Sequence, residues 1–522
     1  VTGQWILLRH YLRRDRWVAL WYPVGAAVLY VSQAISIDGL YTTQEAFDEA
    51  AAAMSANTAF IAMAGPARAL NTIGGQVAWQ STAFGAITAG LVSMFVIGRH
   101  TRAAEETGRE ELVRGAPVDR RAGMTAALLT AVILNALAGV AVSASLIGYG
   151  LAVPGSLIMG VGLMLSGWFF SGVALLAMQL TESTRAAYGI TSIVIGASYA
   201  LRAAGDVTAG WLSWLSPIAW YQAMWGYSGD RWWPGLLLLV GAGTLVATAY
   251  TVFDRRDFAA GVVRARPGPD RARDGMVGAL GFAWHLQRPT ALAWLVGMFL
   301  LGLTFGTFGE DVSILGDSDL TDVFAPDPDA LVDSFYAVMA ILVALIGGAF
   351  TVSSALRPRG EEDDRRVEAL LATGLPRRRW LLGHLTVTVL VTVILLALTG
   401  AGMGLSFAAL TGDWAALWRL TAAVLAVAPG VLLLGGVAVL LYGVAMRWAG
   451  LAWLLLVFCV VMLLFGELLR LPQWLRDLSP FTHFALVPAQ PMAWAPFMAV
   501  LALALTAGAV GVLAFQRRDL RC

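Results

Sequence analysis

The stretch "LAWLLLVFCVVMLLF" (451–465) carries no charge, and stretches like it recur from one end of the chain to the other. About twenty apolar residues in a helix cross the roughly 30 Å hydrocarbon core of a bilayer. A chain written this way must satisfy its backbone polar groups internally, because lipid offers no hydrogen-bond partners. Only helices or a closed barrel do so, and the apolar–polar alternation of barrel strands is absent. Of 522 residues, 58% are hydrophobic and only 13% charged, about half the charged share of a soluble protein. The expected fold is an all-α polytopic membrane protein.

Hydropathy predicts about twelve spans, near 17–36, 78–98, 122–147, 155–180, 186–204, 234–253, 291–308, 334–355, 380–403, 415–443, 449–466 and 494–515. Every basic residue other than His is Arg; there is no Lys. Reading alternate loops as cytoplasmic puts 29 of the 35 Arg on one side and leaves Arg68, Arg202, Arg231, Arg419, Arg470 and Arg476 on the other. By the positive-inside rule both termini are expected in the cytoplasm, in a multi-pass chain of a bacterial cytoplasmic membrane. The acidic loop 309–333, which lacks Arg, fits the opposite side.

Missing Lys excludes one class of function. A phosphate-gripping GxxxxGK[ST] loop cannot exist without it, so the chain holds no P-loop of its own. Neither Cys459 nor Cys522 implies a disulfide framework. Arg9, Arg13, Arg14 and Arg16 precede a full-length span, which speaks against a cleavable signal peptide. The same segment sets Trp5, Leu8 and Leu12 on one helical face, as in a helix lying in the membrane interface; a plain basic flank is the alternative.

The polar, Arg-rich segment 254–283, with its Pro-Gly-Pro, reads as a cytoplasmic linker. It separates a first half, 1–253, from a second, 284–522, each of six spans. The halves look like copies. "WLSWLSP" (211–217) meets "WLRDLSP" (474–480) at an offset of 263, "FDRRD" (253–257) meets "FQRRD" (515–519) at 262, and Gly205-Asp206 meets Gly466-Glu467 at 261. An even number of spans per half makes the repeat parallel, about an axis along the membrane normal, as around a transport path.

Ion-driven carriers need ionisable groups at membrane depth. None lies well inside a predicted span; Asn135 is the notable polar residue, and an interhelical hydrogen bond accounts for it. Asp206 and Glu467 fall at outer helix ends, as a candidate acidic outer gate or as hydrated termini. With no internal coupling device evident, the energy is expected from a partner.

Two charged loops offer that partner a grip. "EETGREELVRGAPVDRR" (105–121) and "DDRRVEALLATGLPRRR" (363–379) lie 258 residues apart, each between the second and third span of its half. Glu105, Glu106, Glu110 and Arg114 surround Leu112 and Val113; Asp363, Asp364 and Glu368 accompany Leu370 and Leu371. Charges four apart suit a short surface helix, and Pro117 and Pro376 end it before the next span. An apolar knob ringed by charge suits docking into another subunit's groove. A solvated loop whose Arg residues set topology is the plainer reading.

These features resemble the type-2 ATP-binding cassette exporter permeases, and among them the fused twelve-span actinobacterial permeases that export tetronasin-like and polyketide antibiotics. The resemblance covers essentially the whole chain, although none of its shared motifs is catalytic. It implies a permease that is not itself an enzyme and binds no cofactor or metal. Two copies of a separate ATPase subunit would hold ATP and Mg and dock on the two loops. It also implies that the second and fifth spans of each half line the path, with Phe84, Leu91, Phe95, Tyr188 and Tyr199, then Met339, Phe350, Trp453 and Phe458, as candidates. Hydrophobic or amphipathic molecules such as antibiotics would move outward. A proton-coupled carrier of the major facilitator kind, a lipid or glycolipid exporter and a non-transporting membrane partner are the alternatives. Nothing points to nucleic acid.

Overall fold

The computed structural model describes residues 3–40, 43–56, 58–208, 210–257, 261–263, 278–308, 328–465 and 472–519. Regular structure in them is entirely helical. The chain divides into two compact units, Val1–Gly268 and Pro269–Cys522.

The first unit opens with α1 (Gln4–Arg14), α2 (Arg16–Leu40), α3 (Gln44–Ala56) and α4 (Thr58–Ala64), and continues through α5 (Ile73–His100), α6 (Arg102–Glu106) and α7 (Arg109–Arg114). Then come α8 (Ala122–Tyr149), α9 (Val153–Leu180), α10 (Thr184–Val207), a 3-10 turn at Leu212–Leu215, α11 (Pro217–Gln222) and α12 (Trp233–Arg255). Local chemistry sets the boundaries. Thr72 and Ser183 turn their hydroxyls onto the free N–H groups that begin α5 and α10. Gly150, at φ 105°, ends α8 in the left-handed conformation that a residue with a Cβ avoids.

Buried α9 sits at the centre, packed against α5, α8 and α12. Small residues permit the close approach: a Cβ on Gly139 would come 2.5 Å from the carbonyl of Gly160. Polar groups knit the same helices together. Tyr22 donates to Asn135 Oδ1 at 3.0 Å, Asn135 Nδ2 donates to Ser93 Oγ at 2.9 Å, and Ser93 donates to the Gly167 carbonyl at 3.0 Å. Asn135 thus joins α2, α5, α8 and α9 by interhelical hydrogen bonds.

The second unit comprises α13 (Ala279–Gly306), α14 (Pro328–Ala355), α15 (Arg357–Asp363), α16 (Arg366–Leu371), α17 (Arg377–Thr411), α18 (Ala415–Ala426) and α19 (Ala428–Val444). A 3-10 turn at Met446–Trp448 leads to α20 (Leu451–Phe465), α21 (Gln473–Arg476), a second 3-10 turn at Pro480–His483, and α22 (Trp494–Arg517). Here α13 packs along α17 and α19 along α22, with α14 against both α17 and α19. The fourth span breaks at Val427, where Pro429 opens α19, whereas α9 in the first unit is continuous.

Eleven helical segments among the described residues are long and apolar enough to cross a membrane. The expected fifth span is the one that falls short. Helix α10 has 24 residues, but Thr191, Ser198 and Arg202 interrupt its apolar run and are buried within the unit. The seventh span also starts earlier than hydropathy placed it, because α13 continues through Pro289 back to Ala279.

Candidate functional site: two elbows

Each unit carries a helix–turn–helix elbow between its second and third spans: α6 and α7 in the first, α15 and α16 in the second. Both turn at a residue with positive φ, Gly108 at 69° and Arg365 at 57°. These residues are 257 apart, so the structural register is one residue short of the sequence match. In that register Glu105 corresponds to Glu362, not to Asp363.

The root of the first elbow is buried. Glu105 lies between two guanidiniums. Arg102 Nη1 is 2.7 Å from its Oε2, and Arg256, at the end of α12, grips both of its oxygens. Arg256 Nε donates to Gln179 Oε1 at 2.9 Å, and Arg102 Nη2 donates to the Met178 carbonyl at 2.9 Å. The three charged side chains are 1–7% exposed. Burying charges costs several kcal/mol per ion unless each finds partners, so such a cluster persists only when it is nearly complete. Arg120 Nη2 adds a 2.6 Å hydrogen bond to the Arg256 carbonyl.

A reduced version of this root occurs in the second unit. Arg518, at the end of α22, donates to Glu362 Oε2 at 2.6 Å, and Tyr442 donates to the same oxygen at 2.7 Å. Tyr442 stands 263 residues after Gln179, matching the repeat. Arg377 Nη1 reaches the Arg518 carbonyl at 3.1 Å, as Arg120 does with Arg256. Among the described residues there is no equivalent of the Arg102 contact: Arg359 pairs with Asp363 at 3.6 Å near the surface, and Glu362 Oε1 is buried without a hydrogen bond.

The loop candidates therefore separate into groups. Glu105 belongs to the root. Glu106 turns back to accept from Thr184 N at 2.7 Å and Thr184 Oγ1 at 2.8 Å, at the start of α10. Glu110 faces the space beside Gly123. Leu112, by contrast, is 81% exposed. Asp363 and Asp364 form short-range pairs with Arg359 and Arg366, Glu368 is exposed, and Leu370 and Leu371 are half-buried against the second unit's own core. Val113 and Arg114 belong to α7, but their side chains lie outside the described residues.

Helix α1 braces the end of α5, which leads into the first elbow. Asp15, just beyond its end, pairs with Arg99 and His100, each at 2.6 Å, and Tyr11 stacks on His100 at 4.0 Å. Burial raises the Asp15 carboxyl, but the His100 hydrogen bond and Arg99 outweigh it and hold the group below its ordinary value. Tyr11 is pushed up to about 12 by burial, with Glu110 adding to the shift.

The path candidates are dispersed. Phe84 and Phe95 are about half exposed, and Tyr188 meets Phe95 edge-on at 5.3 Å. Leu91 is half-buried, and Tyr199 donates to the Met63 carbonyl at 2.8 Å. In the second unit Met339 and Phe458 are half-buried, Trp453 is exposed, and Phe350 is buried and tilted against Trp294. Of the outer pair, Glu467 lies outside the described residues. Asp206 accepts from Ser213 Oγ at 2.7 Å and has Arg202 Nη1 3.5 Å away.

Sequence reasoning missed the root partners Arg256, Arg518, Gln179, Tyr442 and Glu362. A signal was present: the second Arg of each repeated F-x-R-R-D is the root Arg, although the motif reads as a topological marker at a span's end. No cluster of His, Cys, Asp and Glu suited to a metal occurs among the described residues.

Comparison with known proteins agrees with this architecture. Residues 276–516 match the family model "Multidrug efflux system permease Rv1217c, C-terminal domain". Over 531 aligned residues the chain is 36% identical to the "Multidrug efflux system permease protein Rv1217c" of Mycobacterium tuberculosis, covering 100% of this chain and 96% of that protein. A membrane chain of two helical units, similar to that permease from end to end, belongs to the multidrug efflux system permease family.

Proposed function

We propose that the chain is the membrane permease of a drug-efflux system and that a separate ATP-binding cassette subunit supplies the energy, one copy docking on each elbow. The observation that carries this reading is an elbow built twice, each with a buried root tied to the last span of its own unit. An element whose root is braced and whose first-unit tip exposes Leu112 suits the transmission of a push from outside the bilayer. The relative's name supports efflux of several drugs. Hydrophobic and amphipathic substrates suit the aromatic and Met side chains of the second and fifth spans. In this reading the elbows face the cytoplasm, and ATP and Mg belong to the partner.

Leu112 and Glu368 are the proposed contact residues, since Glu105 and Glu106 are already engaged within the chain. Reconstituted with its ATPase in liposomes, the permease exports a dye against its gradient. Leu112→Asp with Glu368→Arg abolishes export while thermal stability stays within about 0.5 kcal/mol, as expected for exposed sites. Uphill export by the chain alone, collapsing with a protonophore at constant ATP, sinks the proposal.

A further inference from the structure

Past its break at Val427, the fourth span of the second unit parts from the third. Before the break α18 packs tightly on α17, where a Cβ on Gly404 would come 2.5 Å from Leu417 Cα. Beyond it α19 packs along α22 instead, where a Cβ on Gly436 would come 2.6 Å from the Ala504 carbonyl. In the first unit the unbroken α9 stays packed on α8.

A cavity of about 430 Å³ occupies the gap left between α17 and α22, with α14 and α19 as its floor. Trp380, tilted against Phe515 at 5.9 Å, and Arg377, on the Arg518 carbonyl, join the two helices at the elbow end. Leu382, Val389, Leu505 and Leu513 line the cavity and are exposed, so it opens sideways as a cleft at membrane depth. Gly508 widens it, since a Cβ there would meet nothing within 4 Å.

Length and charge together select the occupant. From Arg378 to Val389 the α17 wall rises about 16 Å, and from Leu513 back to Leu501 the α22 wall runs about 18 Å. Either is close to half of the roughly 30 Å hydrocarbon core, the depth of one leaflet. The walls are apolar except at the elbow end, where Arg378 lines the cleft. Arg378 is exposed, and among the described residues no acid or carbonyl engages it. Arg377, Arg379 and Arg517 stand at the same helix ends. An apolar gap forfeits dispersion contacts until a chain fills it, and a guanidinium favours a phosphate over it. We infer that the cleft holds one acyl chain of an anionic phospholipid from the elbow-side leaflet, with the lipid phosphate on Arg378. The site lies within one unit and stands whether or not an ATPase drives the permease.

The test is native mass spectrometry of the full chain, titrated in detergent with phosphatidylglycerol and with phosphatidylcholine of the same acyl chains. The first phosphatidylglycerol binds about fivefold more tightly than the first phosphatidylcholine, the share of one basic side chain at a lipid surface. Arg378→Gln removes that preference, whereas Arg447→Gln, at the same end of the unit but outside the cleft, keeps it. Gly508→Leu fills the cleft without a steric clash and weakens both lipids tenfold or more. Glycerol phosphate, the head without the chain, displaces neither. Equal effects of Arg378→Gln and Arg447→Gln, or undiminished binding to Gly508→Leu, mean an ordinary lipid annulus and overturn the assignment. Displacement by glycerol phosphate overturns it in favour of a phosphate site, and dimers of the chain lost in Gly508→Leu overturn it in favour of a second copy.

Discussion

The elbow of the first unit and the elbow of the second share a turn, a buried glutamate and an arginine from the last span, yet they are finished differently. Glu105 has two guanidiniums, and Arg256 is further held by Gln179. Glu362 has one guanidinium and a tyrosine hydroxyl, and one of its oxygens is buried unmet. At the tip the two are alike where they correspond: Leu112 stands in the open, and its counterpart Ala369 and the neighbouring Glu368 are exposed as well, while Leu370 and Leu371 rest against the second unit's core. The first elbow is the firmer at the root and the second the looser. A duplicated element in one chain need not keep both copies identical, and each copy can place its stabilising contacts elsewhere.

The largest expected effect tests the difference in redundancy. Arg518→Leu strands the buried Glu362 with no cation and costs about 3–5 kcal/mol. Arg256→Leu leaves Glu105 with Arg102 and costs less, about 1–3 kcal/mol. Thermal unfolding of the purified chain in detergent measures both. Equal losses would show that Arg102 gives no redundancy and would remove the distinction between the two roots.

A smaller effect separates the acids beside the roots. Glu106→Ala frees N–H and hydroxyl groups at the start of α10 and costs about 1 kcal/mol, as loss of a helix cap does. Asp363→Ala removes only a surface pair with Arg359 and changes stability by less than about 0.5 kcal/mol. If the two substitutions match in a melting experiment, Glu106 is not the brace described.

The smallest effect concerns the turns. A Cβ on Gly108 would meet nothing within 4 Å, so the conformation at φ 69° alone decides its cost. Gly108→Ala is expected to cost about 1 kcal/mol, because L-residues avoid the left-handed region. Arg365→Gly relieves the same strain at φ 57° and gains about 0.5 kcal/mol, the remainder being offset by the entropy of a freer chain. Opposite signs in the two melting shifts sharpen the correspondence of the turns; shifts of one sign break it.

Much of the fold was legible because its signal is local. Apolar run length marked the helices that became the spans, and its one shortfall, α10, has a local cause in Thr191, Ser198 and Arg202. Asn135 was readable as an interhelical hydrogen-bond former, because a lone amide among apolar residues has little else to bond. The elbows were readable as charged, duplicated loops, but the division of labour within them was not. Glu105, Glu106 and Glu110 look alike in sequence; one meets Arg256, one begins α10, and one turns toward Gly123. What distinguishes them is which distant element passes nearby.

From the sequence alone came a helical membrane chain, its near-complete set of spans, its internal repeat and the places where charge is concentrated. These follow from composition and spacing within twenty or so residues, the range over which a helix and a bilayer impose order. The tertiary structure decided the partners: Glu105 with Arg256 across 151 residues, and Glu362 with Arg518 across 156. Such pairings depend on side chains brought together by packing, and burial sets their strength; neither is written in the local order of residues.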